Sequence, residues 1–256
     1  MTRRRIAITG GAGLVGTVLA NGLREQFDVR IVDRAASGGD LESIRADMTD
    51  PSAARTALAD ANALIDLAAI ADAEILWPDV LGNNIPATSN ALEAAKDVGI
   101  RRVIFASSNF ITGSYDLDEP YRSILAGQYD GLDPNALPLI STEMPLRPDS
   151  PYAVGKAFGE AAGRYYADRH GMSVYALRIG TVNAENRPVK PRHFAKWMSH
   201  RDLVALVAKC IEAPVPDEGR FSVFYGVSQN TWRIWDTQRA EKAVGFVASD
   251  NAEHFR

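Results

Sequence analysis

Two side chains capable of acid–base chemistry lie four residues apart in the segment Tyr152-Ala-Val-Gly-Lys156. Residues with this spacing share one face of a helix, so the phenol hydroxyl and the ammonium group can converge on one point. A phenol has a reference pKa of about 10 and is a poor base at neutral pH. A fixed positive charge beside it lowers that pKa, so the pair is suited to taking a proton from a hydroxyl group.

Ser108 follows a predicted strand and could support the same proton transfer. The apolar run 102–107 ends in Ser107, and Ser108 and Asn109 come directly after it. A serine hydroxyl at this place can hold a substrate oxygen as an oxyanion-type donor. We expect Ser107 to close the strand, and Asn109 is either a turn residue or a ligand of a substrate hydroxyl.

Gly10, Gly13 and Gly16 form a turn that is suited to binding a dinucleotide. They follow the β-branched run 6–9 and precede a helical pattern. In such a unit the glycines allow a tight turn, close approach of the backbone to a pyrophosphate, and close packing of helix on strand. The helix N-terminus presents free N–H groups to the phosphates. Asp33 ends the next strand about 20 residues later, where a carboxylate would bind a ribose hydroxyl.

The elements that must position these residues alternate between strand-like and helix-like patterns through residue 180. The alternation predicts an α/β fold with a doubly wound parallel sheet of the Rossmann type and right-handed crossovers. The predicted strands are residues 6–9, 28–33, 43–46, 63–69, 102–107 and 173–179. The predicted helices follow the glycine turn and Asp50, and also cover residues 83–98 and 151–169.

We expect one domain over residues 1–256, with most of a small substrate lobe formed by residues from about 182 to 256. This part contains a helix capped by Ser199, with Asp202 three residues later, and a strand at 221–227. The lobe should cover the carboxyl ends of the strands, where doubly wound sheets bind ligands. An irregular segment at 115–148 is typical of a functional or mobile loop.

The composition gives no reason to expect nucleic acid or a membrane as a partner. The formal net charge is −4 over 256 residues. No apolar run approaches the roughly 18 residues that a membrane span needs. A single cysteine, Cys210, excludes an internal disulfide and fits a reducing cytoplasm, so we expect a soluble, cytoplasmic protein. The four histidines lack paired metal-ligand spacing, and we predict no metal site.

Over nearly its whole length the chain resembles the extended short-chain dehydrogenase/reductase family. The motifs that carry the resemblance are Thr9-Gly10-Gly11-Ala12-Gly13-x-x-Gly16, Asp33, Asp47-Met48, Leu67-Ala68-Ala69, Asn84, Ser108 and Tyr152-x-x-x-Lys156. In that family the fourth-strand motif usually begins with His, and here Asp66 or Leu67 occupies the place.

The resemblance implies that Ser108, Tyr152 and Lys156 are the catalytic set. It also implies a set of cofactor-binding residues: Gly10, Gly13, Leu14, Val15, Gly16, Asp33, Arg34, Asp47, Met48, Leu67, Ala68, Ala69, Asn84, Tyr152, Lys156 and Ile179. Because Asp33 would repel a 2′-phosphate, we favour NAD, whereas Arg34 beside it keeps NADP open.

Within that family the chain is most similar to uronate dehydrogenases, which oxidise the anomeric carbon to a lactone. The matching segments are Val103-Ile-Phe-Ala-Ser-Ser-Asn109, Leu177-Arg-Ile-Gly-Thr181, Lys196-Trp-Met-Ser-His-Arg-Asp-Leu203 and Phe224-Tyr-Gly-Val-Ser-Gln-Asn230 with Trp235-Asp236. Only about 75 residues follow the sixth predicted strand, which is little to enclose a nucleotide-sugar, so a free monosaccharide fits better.

The same resemblance implies the substrate-binding residues Ala71, Ser108, Asn109, Phe110, Tyr152, Thr181 and Arg192. Arg192 matches an arginine that binds the substrate carboxylate, although Arg192 and Lys196 could instead be a solvated basic face. Ala71 and Phe110 stand where the family has Ser and His, so two hydrogen bonds to a uronate are lost. The substrate could therefore be another acidic or a neutral sugar, such as a sulfonated hexose.

We therefore expect an NAD-dependent sugar dehydrogenase with Tyr152 as general base. One alternative is an epimerase or dehydratase that retains its NAD, and another is a dinucleotide-sensing protein without turnover. The intact set of Ser108, Tyr152 and Lys156 argues against a sensor, which needs no base. By analogy with the family we also expect a homo-oligomer that pairs helices 83–98 and 151–169.

Overall fold

Parallel strands form one sheet at the centre of the computed structural model, which describes residues 3–35, 39–216 and 219–256. Seven strands lie in this described part, in the order β3-β2-β1-β4-β5-β6-β7, and every neighbouring pair is parallel. They are β1 (Arg5–Thr9), β2 (Asp28–Asp33), β3 (Glu42–Arg45), β4 (Ala63–Asp66), β5 (Arg102–Ser108), β6 (Ser173–Ile179) and β7 (Arg220–Gly226). The strand order reverses between β1 and β4, which is where such sheets bind ligands.

The helices connect the strands and cover both faces of the sheet. They are α1 (Leu14–Leu23), α2 (Pro51–Leu58), α3 (Trp77–Asp79), α4 (Ile85–Asp97), α5 (Tyr121–Leu125), α6 (Pro151–His170), α7 (His193–Lys196), α8 (His200–Glu212) and α9 (Gln238–Val244). A π-helical turn at Val80–Asn84 joins α3 to α4, and 3₁₀ helices cover Asn109–Leu117 and Ala252–Phe255. None of the helices in the described ranges is long and apolar enough to cross a membrane.

Alternating side chains of the strands build two hydrophobic layers. Ile6, Ile8 and Ile104 face α1, α8 and α9. Ala7 and Val103 face the opposite side and pack against α2, α4 and α6. Strands covered on both faces are apolar at nearly every position, as the sequence of the central strands shows.

The doubly wound fold predicted from the sequence is confirmed, and the six predicted strands are all present. Two boundaries differ by more than one residue. β4 ends at Asp66 rather than at residue 69, and the N–H groups of Leu67 and Ala68 beyond its end donate to the Thr9 hydroxyl (3.2 and 3.3 Å). The helix predicted at 83–98 begins earlier, because helical backbone continues from Trp77 through the π-helical turn into α4.

Part of the predicted substrate lobe belongs instead to the main sheet. β7 extends the sheet beside β6, and α8 packs with α1 on one of its faces. The pattern at 221–227 indicates a strand but does not show which partner it pairs with, and this pairing moves it out of the lobe. The carboxyl ends of β6 and β7 are covered by a mixed cluster that includes Tyr115, Ile140 and Trp235. The segment 115–148, predicted as irregular, therefore contributes to this cover.

A buried polar network ties β5, β6 and α6 together beneath the carboxyl edge of the sheet. Arg178 donates two hydrogen bonds to the Glu160 carboxylate, each 2.9 Å long, and both side chains are buried. The Ser107 hydroxyl donates to Glu160 (2.6 Å), and Arg178 also donates to the Tyr225 hydroxyl (3.1 Å). Ser107 is thus structural, as expected.

Replacing Arg178 by methionine should lower the free energy of unfolding by about 3–5 kcal/mol, because Glu160 would be left as an unpaired buried charge. Urea denaturation monitored by circular dichroism measures the change. The control is Arg164→Met, which removes an exposed ion pair to Asp168 and should cost less than about 1 kcal/mol. Equal small losses in the two variants would contradict a buried charge at Glu160.

Candidate active site

The turn between β1 and α1 is closed so tightly that side chains would not fit in it. Gly10 has a φ of +64°, and a Cβ there would lie 2.9 Å from the carbonyl carbon of Leu67. A Cβ at Gly16 would lie 2.5 Å from the Cα atom of Gly11. The turn therefore leaves the backbone N–H groups at the start of α1 accessible, which is the cradle that a pyrophosphate requires.

Asp33 lies beside this turn at the end of β2. Its carboxylate accepts hydrogen bonds from the backbone N–H groups of Ala12 (3.0 Å) and Ala35 (2.9 Å). Two hydrogen bonds from opposite sides fix the carboxylate between the turn and the loop after β2. A negative charge held at this point suits two ribose hydroxyls and disfavours a phosphate.

Two adjoining cavities run along the carboxyl edge of the sheet, and Gly10, Asp33 and Ala69 line both. The first, of about 80 Å³, also contacts Arg34, Ala68 and the Asp47–Met48 pair, and its lining further includes Val32, Ala46, Asn83 and Ala87. The second, of about 510 Å³, contains the remaining predicted residues: Gly13, Leu14, Val15, Gly16, Leu67, Ala71, Ser108, Asn109, Phe110, Tyr152, Lys156, Ile179 and Thr181. Of the residues predicted from the sequence, Asn84 and Arg192 lie outside both linings.

The side chain of Asn84 lies outside both cavity linings and binds the backbone of the loop after β4. Its buried side-chain amide accepts a hydrogen bond from the Ile70 N–H (2.8 Å) and donates one to the Ile70 carbonyl (3.2 Å). It therefore fixes the loop after β4, and its neighbour Asn83 contacts the first cavity instead. The role of Asn84 as a direct cofactor ligand stays a prediction.

Arg192 is paired with a carboxylate outside the cavity lining. Its guanidinium group donates to Asp116 (3.3 Å), and the same carboxylate oxygen accepts from Lys196. Lys196 is only 1% exposed, so the alternative of a solvated basic face is wrong for this residue. Asp116 thus balances cationic charge that an acidic substrate would otherwise meet.

Ser108, Tyr152 and Lys156 all line the second cavity. Tyr152 and Lys156 lie near the start of α6, whose N-terminus is capped by the Ser150 hydroxyl accepting from the Ala153 N–H (3.3 Å). All three side chains are buried, and the edge of the Phe110 ring contacts Tyr152 with 6.3 Å between ring centroids. A substrate hydroxyl in this cavity would meet a phenol, a hydroxyl and an ammonium group.

Burial dominates the acid–base properties of these groups. It raises the pKa of Tyr152 to about 12. Lys156 therefore does not lower the pKa of this phenol below its ordinary value, although the sequence led us to expect that it would. Burial lowers the pKa of Lys156 to about 8, and the negative charge of Asp66 opposes that fall. A phenolate base therefore needs further positive charge in the cavity.

Sequence reasoning missed several lining residues. Asn83, Ala106, Gly180 and Val182 contact one or the other cavity. Ala106 and Gly180 could have been found, because they lie at the carboxyl ends of predicted strands. Asn83 carried no such signal, since its contact depends on the π-helical turn.

The model of the family described as NAD dependent epimerase/dehydratase matches residues 6–211. The chain belongs to the NAD-dependent epimerase/dehydratase family. This confirms the family predicted from the motifs, and the glycine cradle and Asp33 fit the cofactor in the family's name.

Named relatives cover nearly all of the chain. An NAD-dependent glucose-6-phosphate dehydrogenase from Haloferax volcanii is 34% identical over 98% of this chain and 95% of its own length. An L-arabinose 1-dehydrogenase (NAD(P)(+)) from the same organism is 33% identical over 97% of each chain. The crystal structure of a glucuronic acid dehydrogenase from Chromohalobacter salexigens is 30% identical, with a TM-score of 0.84 over 100% of this chain and 88% of that one.

Gly16→Ala should weaken NADH binding by about tenfold or more, because the added methyl group would displace the turn that is predicted to bind the pyrophosphate. NADH fluorescence titration measures the dissociation constant. Gly82→Ala is the control, since a Cβ there has no neighbour within 4 Å. An unchanged dissociation constant in folded Gly16→Ala would contradict this position for the cofactor.

Proposed function

We propose that the protein is an NAD-dependent sugar dehydrogenase that oxidises C1 of a free aldose to a lactone. The observation that carries the proposal is that Ser108, Tyr152 and Lys156 share one cavity with the dinucleotide turn. The named relatives are sugar dehydrogenases that together act on a sugar phosphate, a neutral pentose and a uronic acid. The predicted homo-oligomer and cytoplasmic location are part of this proposal.

The protein groups assemble a site for proton removal from the C1 hydroxyl. The Ser108 hydroxyl donates a hydrogen bond to the C1 oxygen, and Tyr152 in its phenolate form takes the proton from that oxygen. The Lys156 ammonium group stabilises the phenolate. When bound along the glycine turn, NAD would supply the acceptor for the hydride that leaves C1 as the C1=O bond of the lactone forms.

The charges around the cavity favour a neutral sugar. Lys156 is the one cationic side chain among the described residues that line the second cavity, and the mechanism uses it. Arg192, the residue predicted to bind a carboxylate, is paired with Asp116.

Tyr152→Phe should lower kcat by about 10²–10⁴-fold while leaving NADH binding unchanged, because only the base is removed. Initial rates of NADH formation and a fluorescence titration measure the two properties. Tyr121→Phe is a matched control, since this buried tyrosine packs in the cluster with Ile140 away from the cavity. Full activity in Tyr152→Phe would refute the assignment of the base.

An activity screen should show that neutral aldoses have a kcat/KM at least about tenfold above the corresponding uronic acids, since an unpaired carboxylate is costly to bury. The panel contains glucose, galactose, xylose, arabinose, glucuronate, galacturonate, a sulfonated hexose and glucose 6-phosphate. Arg192→Gln should change kcat/KM for the best neutral sugar by less than about twofold, because Arg192 lies outside the cavity lining.

Two outcomes of the same screen would contradict this proposal. A uronate as best substrate, with its activity lost in Arg192→Gln, would restore Arg192 as a substrate ligand. NAD that stays bound through purification, with no net NADH formed from any sugar, would favour an epimerase or dehydratase.

A further inference from the structure

Asp66 lies in a row of side chains that crosses three strands on the face covered by α6. In the parallel register Thr9 pairs with Asp66, and Asp66 pairs with Phe105. Side chains in register point to the same face of a parallel sheet. The Phe105 ring points towards α6, since a Cβ at Gly159 would lie 2.1 Å from its Cζ atom. Asp66 therefore points towards α6 as well.

The Asp66 carboxylate is buried and only half satisfied. Its Oδ1 atom accepts a hydrogen bond from the Thr9 hydroxyl (2.7 Å). Its Oδ2 atom is buried and has no hydrogen-bond partner within residues 3–35, 39–216 and 219–256. A buried carboxylate in this state is costly unless a positive charge lies nearby.

Lys156 brings such a charge to the same row. Its ammonium group lies 5.0 Å from the centroid of the Phe105 ring, the register neighbour of Asp66. Of the titratable groups around Lys156, α6 contributes Tyr152 and Glu160, and β4 contributes Asp66. The Glu160 carboxylate is already bound by Arg178, and Tyr152 is neutral until it acts as the base.

We propose that Asp66 is the positioning residue that holds the ammonium group of Lys156 in place and protonated within the active site. This inference rests on the proposed function, in which Lys156 stabilises the phenolate. Asp66 makes no contact with the reacting atoms and acts through Lys156 alone. Asp66 occupies the end of β4, where the family motif usually begins with His. The pair of Asp66 and Lys156 is therefore a departure of this chain from the family motif.

The sign of the effect follows from burial. Burial raises the pKa of Asp66 to about 6 and lowers that of Lys156 to about 8, so both groups are charged between these values. Without the carboxylate, the pKa of Lys156 would fall further towards neutrality. A neutral amine does not stabilise the Tyr152 phenolate, so activity would be lost first at the alkaline end of this window.

The test is Asp66→Asn, which keeps the shape of the side chain and removes its charge. We expect kcat at pH 8 to fall by about fivefold, because a one-unit fall of the Lys156 pKa from about 8 takes its protonated fraction from about one half to about one tenth. KM for the sugar should change by less than about twofold. The descending limb of the pH–rate profile should move to lower pH. Nitrogen-15 NMR of lysine-labelled protein, with Lys156→Arg for assignment, should show Lys156 titrating at lower pH in Asp66→Asn.

Two control variants separate charge from structure. Thr9→Val removes the hydrogen bond to Asp66 but keeps the carboxylate, so the Lys156 titration should move less than in Asp66→Asn. Asp202→Asn alters another fully buried carboxylate, which binds Ser228, Ser249 and Asp250 on the α8 side, and should leave the pH profile unchanged. The proposal would be overturned if Thr9→Val shifted the Lys156 titration, or Asp202→Asn shifted the pH–rate profile, by as much as Asp66→Asn does.

The titration also decides the inference independently of turnover. If no sugar is oxidised, the proposed function fails, yet a Lys156 shift in Asp66→Asn still establishes the pair. If Asp66→Asn does not fold, the wild-type Lys156 resonance must show a second step where Asp66 titrates, near pH 6. Identical Lys156 titrations in wild type and Asp66→Asn, or a wild-type resonance without that step, would overturn the inference.

Discussion

The parallel register of β1, β4 and β5 is the constraint on which the rest of the site depends. Thr9, Asp66 and Phe105 lie side by side in that register. The residues that follow them therefore lie next to one another at the carboxyl edge of the sheet, where Gly10, Leu67 and Ala106 line the second cavity. The strand order reverses between β1 and β4, which opens the crevice there. A one-residue slip would turn each of these side chains to the other face and close the cleft.

The buried charged side chains differ in how completely they are hydrogen-bonded, and the difference matches the role proposed for each of them. Arg178 and Glu160 make two direct hydrogen bonds, and both partners are fixed. Asp66 keeps one oxygen free of hydrogen bonds, and its cationic neighbour Lys156 faces the cavity. A fully hydrogen-bonded pair stabilises the fold, whereas a partly satisfied pair leaves the ammonium group able to act on another side chain.

Local patterns predict most of this fold because the elements have strong local causes. The glycine turn, the cap at Ser150 and the apolar central strands each specify their own conformation, and Tyr152 and Lys156 follow from helix geometry. The place of β7 could not be predicted in this way, because pairing with β6 is decided by tertiary contacts. The same holds for Arg192, whose partner Asp116 is distant in the sequence.

Substrate choice in this fold is separable from the chemistry at C1. In the proposed mechanism Ser108, Tyr152 and Lys156 act on the C1 hydroxyl alone, and relatives named for a phosphorylated and for a neutral sugar are about equally similar to this chain. The selective contacts must therefore come from the cavity rim, where Ala71 and Phe110 provide no charge. Because Asp116 is already paired with Arg192 and Lys196, an acidic sugar would have to displace a formed ion pair to gain a cationic partner there, whereas a neutral sugar needs no such exchange.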